Sequence, residues 1–218
     1  VRDVREFKDI HKGERCFVIG TGPSLNSTNF GLLKDEITFG VNTLYVGLDR
    51  FKIKPRYWGI SDPQIMTGHY TQVSKLDTTI FLAHNAHKIY ASNPTRYKSH
   101  QEPVLLRSYG KFSIDLTKGV ACGMTVVYDI GLQVAYYMGF DVVYLLGVDA
   151  DYSGPKSHFY DNPDKRGKGI PSARSLQSYG AAKVAFEKDG REIINCTVGG
   201  KLEVFKRRKL EDVINEKH

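Results

Sequence analysis

The stretch Asp141–Asp149 narrows the choice of folds more than any other part of the chain. It reads Asp-Val-Val-Tyr-Leu-Leu-Gly-Val-Asp, apolar at successive positions and not at alternate ones. A strand that is apolar on both faces is covered on both faces, the condition met in a parallel sheet between layers of helices. A helical pattern runs straight into it. From about Met124 to Met138 apolar residues recur at Val127, Ile130, Leu132, Val134 and Tyr137, and Gly139 stands where a helix C-cap is expected. A helix leading into such a strand is half of a parallel βαβ unit.

Further apolar runs of strand length occur at Cys16–Ile19, Ile37–Asn42, Tyr57–Asp62 and Thr79–Ala83, with a weaker one at Pro103–Leu106. Most end in glycine or polar residues. After Asp149 the pattern predicts a long polar segment, Tyr152–Ser172, a helix over Ala173–Asp189 stopped by Gly190, and a last strand at Glu192–Cys196. No repeat or low-complexity linker divides the chain. A single α/β domain over residues 1–218 is expected, with its core at about 14–205 and a charged tail at 206–218 whose end, Leu210–His218, is a short charged helix or frays. In open parallel sheets, ligands bind outside the carboxyl ends of the strands.

Composition limits the function classes. The chain is 41% hydrophobic with 13 Tyr and 11 Phe, which excludes disorder over most of its length. No run reaches the roughly 18 apolar residues of a membrane helix, and Val1–Lys12 is charged throughout, unlike a secretory signal. The net charge of +7 suits an anionic ligand, a nucleic acid or an acidic membrane surface. The common nucleic-acid modules leave no signature, so no nucleic-acid partner is expected. The basic runs Lys165–Lys168 and Lys206–Lys209 read equally as solvated faces. Cys16, Cys122 and Cys196 are too far apart for a disulfide framework or a metal motif, and a reducing cytoplasm fits them. His84 and His87 have a spacing that suits a metal on a helix, without an apparent third ligand. No metal is therefore assigned.

Gly20-Thr21-Gly22-Pro23-Ser24-Leu25 follows the first apolar run. Its glycines let the backbone approach a ligand, and the Ser24 hydroxyl and free amides can bind phosphate oxygens. It lacks the third glycine of a dinucleotide fingerprint and the Gly-Lys-Ser/Thr of a Walker loop. The alternative is a turn with Ser24 as a helix cap. Asn42 is either a ligand contact or a turn residue, and Asp62, before Pro63, either a metal or hydroxyl ligand or an Asx turn. Gly119–Thr125 precedes the long helix, where Gly123 opens the N-terminus to an anion and Thr125 contacts phosphate or caps. Asp149 and Asp151 follow the strongest strand, where carboxylates bind a ribose, an acceptor hydroxyl or a divalent ion. His158 is the best-placed histidine for acid/base work.

The ordered set formed by Gly20–Leu25, Asn42, the Gly123–Gly139 helix, Gly147-Val148-Asp149 and Asn195–Phe205 resembles the bacterial and archaeal family named after 6-hydroxymethylpterin pyrophosphokinase. It is also similar to the small bacterial sialyltransferases, and the likeness spans about Cys16 to Phe205. The resemblance implies a Rossmann-like three-layer sandwich with a mostly parallel sheet. It implies that Gly20, Thr21, Gly22, Ser24 and Asn42, with Pro23 shaping the loop, contact a cytidine monophosphate sugar without needing a metal. Tyr152 and Tyr160 match tyrosines that steady the leaving phosphate, and Arg174 stands near the place of the sialyltransferase catalytic histidine. The expected function is a glycosyltransferase of bacterial surface-glycan assembly, in the cytoplasm or at the inner face of the membrane. Its partners would be a nucleotide-sugar donor and a glycan or lipid-linked acceptor, with oligomerisation open. His158 or Asp149 would be the base, and Arg174 would offset the leaving charge. One alternative is pyrophosphoryl transfer from ATP to a pterin alcohol, with Asp62, Asp149 and Asp151 holding magnesium. A second is a non-catalytic nucleotide- or glycan-binding accessory protein.

Overall fold

A computed structural model of the chain describes residues 1–97, 101–151, 156–161 and 173–216. Its main sheet has eight strands. These are β1 (Arg15–Ile19), β2 (Thr38–Val41), β3 (Tyr57–Ile60), β4 (Thr79–Ala83), β5 (Val104–Leu106), β8 (Val142–Leu146), β9 (Glu192–Asn195) and β10 (Lys206–Arg207). Two short strands, β6 (Ser108–Tyr109) and β7 (Val120–Ala121), pair separately. The sheet order is β10-β9-β8-β1-β2-β3-β4-β5, and every described pairing is parallel. From β1 the chain winds one way to β5; from β8 it winds the other way to β10. The winding reverses between β1 and β8, and in open parallel sheets such a reversal forms a crevice at the strands' carboxyl ends.

Strand periodicity divides the core into two layers. Val18, Phe39, Phe81, Val143 and Leu145 face one side, against Ile130, Val134, Ala182 and Phe186. Phe17, Ile19, Trp58, Ile80 and Leu146 face the other, against Met66, Tyr70, Ala86 and Val213. The covering helices are α1 (Leu48–Phe51), α2 (Pro63–Val73), α3 (His84–Ser92), α4 (Gln133–Tyr137), α5 (Ala173–Lys188) and α6 (Leu210–Ile214). This is the expected Rossmann-like three-layer sandwich. No described helix is long and apolar enough to cross a membrane.

Two expectations change. The charged tail contributes β10 to the sheet edge, and its end takes the helical alternative as α6, packed down by the buried Leu210 and Val213. Arg15 ties it down by donating from Nη1 to the Val213 carbonyl at 2.9 Å and from Nη2 to the Ile214 carbonyl at 3.2 Å. The long helix expected from Met124 is not regular either. Met124 has φ +68°, Val127–Leu132 form a π-turn, and α4 begins only at Gln133. Gly139 ends the helix with φ +89°, as its C-cap position predicts.

Gln133 makes the π-turn tenable. A wider turn leaves main-chain carbonyls without their i+4 partners, and here they are buried. The fully buried Gln133 amide donates towards the carbonyls of Ala121, Tyr128 and Asp129 at 3.0–3.1 Å. Its oxygen accepts from the amides of Ser113 and Ala121, both at 2.9 Å. Substituting Gln133→Leu keeps the bulk and strands these groups. Urea unfolding should show a loss of about 2–4 kcal/mol, the desolvation cost of two or more unpaired groups. A loss under about 0.5 kcal/mol, ordinary for a surface change, would mean that the turn does not depend on this side chain.

Candidate functional site

The crevice between β1 and β8 holds the glycine loop. Gly20 N donates to the Leu146 carbonyl at 2.8 Å, and Gly22 N to that of Gly147 at 2.9 Å. Ser24 turns back onto Asp149: its amide donates to Oδ1 at 3.1 Å and its hydroxyl to Oδ2 at 2.7 Å. Only glycine fits at position 22, because a Cβ there would lie 1.8 Å from Asp149 Oδ2. Pro23 opens the short 3₁₀ turn Pro23–Ser27 behind it. Sequence reasoning assigned Ser24 to phosphate; its hydroxyl and amide are instead spent on Asp149. For the same reason Asp149 is a poorly placed base, with both oxygens engaged. Burial raises its carboxyl above the usual aspartate value, and the two Ser24 hydrogen bonds act against that rise.

His158 comes to the same crevice. Phe159 N donates to the Thr21 carbonyl at 3.0 Å, Asn26 Nδ2 donates to the Phe159 carbonyl at 3.1 Å, and His158 Nδ1 lies 3.1 Å from Thr21 Oγ1. The His158 ring stacks on Tyr160 at 5.3 Å between centroids. The Tyr160 hydroxyl pairs with Thr43 Oγ1 at 2.7 Å. Thr43 was not singled out in the sequence; it follows Asn42 at the end of β2. Asn42 has φ +45°, and its Oδ1 is buried without a hydrogen-bond partner. A strained backbone and an unsatisfied buried acceptor at one residue are costs that sites bear and cores avoid.

A second group lies at the ends of β3 and β4. Gly123 N donates to Asp129 Oδ1 at 2.6 Å. Thr125 Oγ1 pairs with the Tyr179 hydroxyl at 3.0 Å and accepts from Tyr128 N at 3.3 Å, so it caps the π-turn. Arg174 Nη2 donates to the Cys122 carbonyl at 3.2 Å. Burial pushes the Asp129 carboxyl up to about 7, while the Gly123 amide and the Ser61 hydroxyl hold it down. His84, φ +54°, faces Asp129, and Cys122 joins them. Asp129 escaped the sequence reading. Its signal was a lone acid inside an apolar helical pattern, a place where acids are rare unless partnered.

The remaining candidates separate. Asp62 is exposed and caps α2, accepting from Gln64 N at 2.7 Å and Ile65 N at 3.3 Å. Asp151 pairs with Lys201 Nζ at 3.1 Å. Tyr152 lies outside the described residues. The trio Asp62, Asp149 and Asp151 is not gathered as a magnesium site; among the described residues the grouped candidates for a cation are His84, Cys122 and Asp129. A cleft of about 590 Å³ between the segment that follows β1 and the residues that follow β9 and β10, lined by Thr28, Val198 and Arg208, contains none of the candidate residues.

A doubly wound parallel sheet with a glycine loop at its switch point defines a Rossmann-like α/β chain. More particularly, residues 1–155 match the family model described as 6-hydroxymethylpterin diphosphokinase MptE-like, and the chain belongs to that family. No curated protein matches the chain in sequence. Its fold is shared with the MAf glycosyltransferase of Magnetospirillum magneticum AMB-1, at TM-score 0.57 and 16% identity over 94% of this chain. The chain spans only 37% of that enzyme's length. It is also shared with the sialyltransferase CstII of Campylobacter jejuni, solved in complex with a substrate analogue, cytidine-5'-monophosphate, at TM-score 0.59 and 14% identity over 90% of this chain and 85% of that one.

The raised Asp149 carboxyl has a pH consequence. From the ordinary aspartate value of 3.8 up to the raised native value, the folded protein keeps a proton that the unfolded chain has released. This contribution to stability is fully present below 3.8 and is lost as pH rises through the native value. Urea unfolding at a series of pH values should show a shallower fall for Asp149→Asn than for the parent across that window. Identical slopes would remove Asp149 as a source of the pH dependence.

Proposed function

We propose that the chain is a transferase that binds a nucleotide-activated sugar at the β1–β8 switch point and passes the glycosyl group to a hydroxyl acceptor. The donor class is an acidic sugar on cytidine monophosphate, and the acceptor a surface glycan or its lipid-linked precursor. The observation that carries the reading is Asn42: a buried, unpartnered amide oxygen on a left-handed backbone, beside the glycine loop and the His158–Tyr160 segment. Such an oxygen awaits a donor that a nucleotide can supply. The glycosyltransferase and sialyltransferase folds support the class.

In this reading the acceptor oxygen attacks the anomeric carbon while the bond from that carbon to the phosphate oxygen breaks. The nucleotide leaves with the electron pair, and the acceptor's proton passes to His158. His158 takes this role in preference to Asp149, whose oxygens are held by Ser24. Tyr160 steadies the imidazole by stacking. Arg174, fixed on the Cys122 carbonyl, offsets the charge of the leaving phosphate.

Thermal unfolding with cytidine, uridine, guanosine and adenosine nucleotides, with and without added magnesium, tests the binding half. Cytidine nucleotides should raise the melting temperature without magnesium, and Asn42→Ala should weaken them about tenfold, the loss of roughly one good hydrogen bond. A rise with ATP alone, only with magnesium, would point to pyrophosphoryl transfer to a pterin alcohol. No rise with any nucleotide would leave an accessory protein.

For the chemical half, His158→Ala should lower transfer or donor hydrolysis by about a hundredfold or more, with the cytidine shift retained. Unchanged turnover would take His158 out of the base role.

A further inference from the structure

His84, Cys122 and Asp129 come from three separate segments: the start of α3, the loop after β7, and the π-turn. One ligand-capable atom from each lies within 4.8 Å of the other two. A tetrahedral ion with bonds of about 2.0–2.3 Å would hold such atoms roughly 3.3–3.8 Å apart. The three groups therefore need close by at most about 1.5 Å to share one ion.

The histidine supplies an independent pointer. Its side chain is only 10% exposed, and Nε2 is buried with no hydrogen-bond partner. The nearest Asp129 oxygen is 3.6 Å away, too far for a hydrogen bond. Nδ1 is satisfied by Ser108 Oγ at 2.9 Å. In the tautomer whose Nδ1–H donates to that hydroxyl, the ring presents the Nε2 lone pair to whatever lies opposite, the usual orientation of a metal-bound imidazole. The carboxylate is oriented too, because its other oxygen accepts from Gly123 N at 2.6 Å. The backbone departs from its usual forms at both residues. His84 sits at φ +54°, and Asp129 on a π-turn. Such departures concentrate at functional sites.

We propose that these three side chains bind one divalent cation of the zinc class, leaving its fourth position open. A thiolate, an imidazole and a carboxylate suit a borderline-soft ion and not magnesium, which takes oxygen ligands. The two anionic ligands balance its charge. Cys122 is exposed, so the fourth position faces solvent and can take water or an anionic oxygen of a ligand. The site is distinct from the glycine loop and from the Asp62, Asp149 and Asp151 trio, and it does not depend on the nucleotide reading.

The test uses the full chain, reduced and stripped of metal, in equilibrium dialysis against Zn²⁺, and separately against Co²⁺ with absorption spectroscopy. The expected result is one equivalent of zinc, and a cobalt spectrum carrying a thiolate charge-transfer band. Cys122→Ser should abolish that band, and His84→Ala and Asp129→Asn should each weaken zinc at least tenfold. Far-UV circular dichroism shows whether each variant is folded. Cys122 lies at the surface, so Cys122→Ser decides the matter if either buried variant fails to fold. No bound zinc at micromolar concentration, no thiolate band, or an equivalent that survives in the Cys122→Ser protein would each overturn the proposal. Nucleotide shifts measured on the same stripped protein report separately on the glycine loop.

Discussion

The grip of Asp149 on Ser24 organises the carboxyl edge of the sheet. One carboxylate at the end of β8 takes the amide and hydroxyl that would otherwise face outwards from the loop after β1. With the loop anchored there, the Thr21 carbonyl faces the incoming Phe159 amide, and His158 and Tyr160 follow into place. The anchor is itself braced. Thr197 Oγ1 accepts from Val148 N at 3.1 Å, and Lys201 N donates to the Asp149 carbonyl at 2.7 Å. Gly147, at φ +65°, lets Leu25 pack where a Cβ would lie 2.4 Å from its Cδ2. The crevice is thus built from residues that neither strand could position alone.

A second constraint shapes the edge at β3 and β4. The π-turn displaces the chain from an ordinary helix, and Gln133 donates towards the Tyr128 and Asp129 carbonyls of the turn while tying it to Ala121 of β7. Asp129, on that turn, points at Gly123 and His84. Both groups lie on the same edge of the sheet, at neighbouring strands in the order β8-β1-β2-β3-β4.

Much of the layout was legible in the sequence because strand burial is written in short apolar runs. Cys16–Ile19, Tyr57–Asp62 and Asp141–Asp149 read directly as strands, and the parallel sheet followed from their being apolar on both faces. Gly139 marked its helix end for a local reason, its left-handed backbone. What was not legible depends on contacts across the chain. That Ser24 would bind Asp149, 125 positions away, has no local signature. The π-turn was hidden because Gln133 and Asp129 fit a helical pattern as ordinary polar interruptions. The charged run Lys206–Lys209 masked β10, and the charged residues of the short helix α6 hid that it packs inwards through Leu210 and Val213. Asp62 shows the converse: an Asx cap was an open alternative from the start, and the local hydrogen bonds to Gln64 and Ile65 bear it out.

The most direct test of the central claim is a crystal structure of the protein with a cytidine nucleotide. The account predicts the nucleotide in the β1–β8 crevice, against Gly20–Ser24, with a ligand donor on Asn42 Oδ1 and the His158 imidazole facing the phosphate side. A nucleotide bound elsewhere, for instance in the cleft lined by Thr28 and Arg208, with Asn42 Oδ1 still unpartnered, would contradict it.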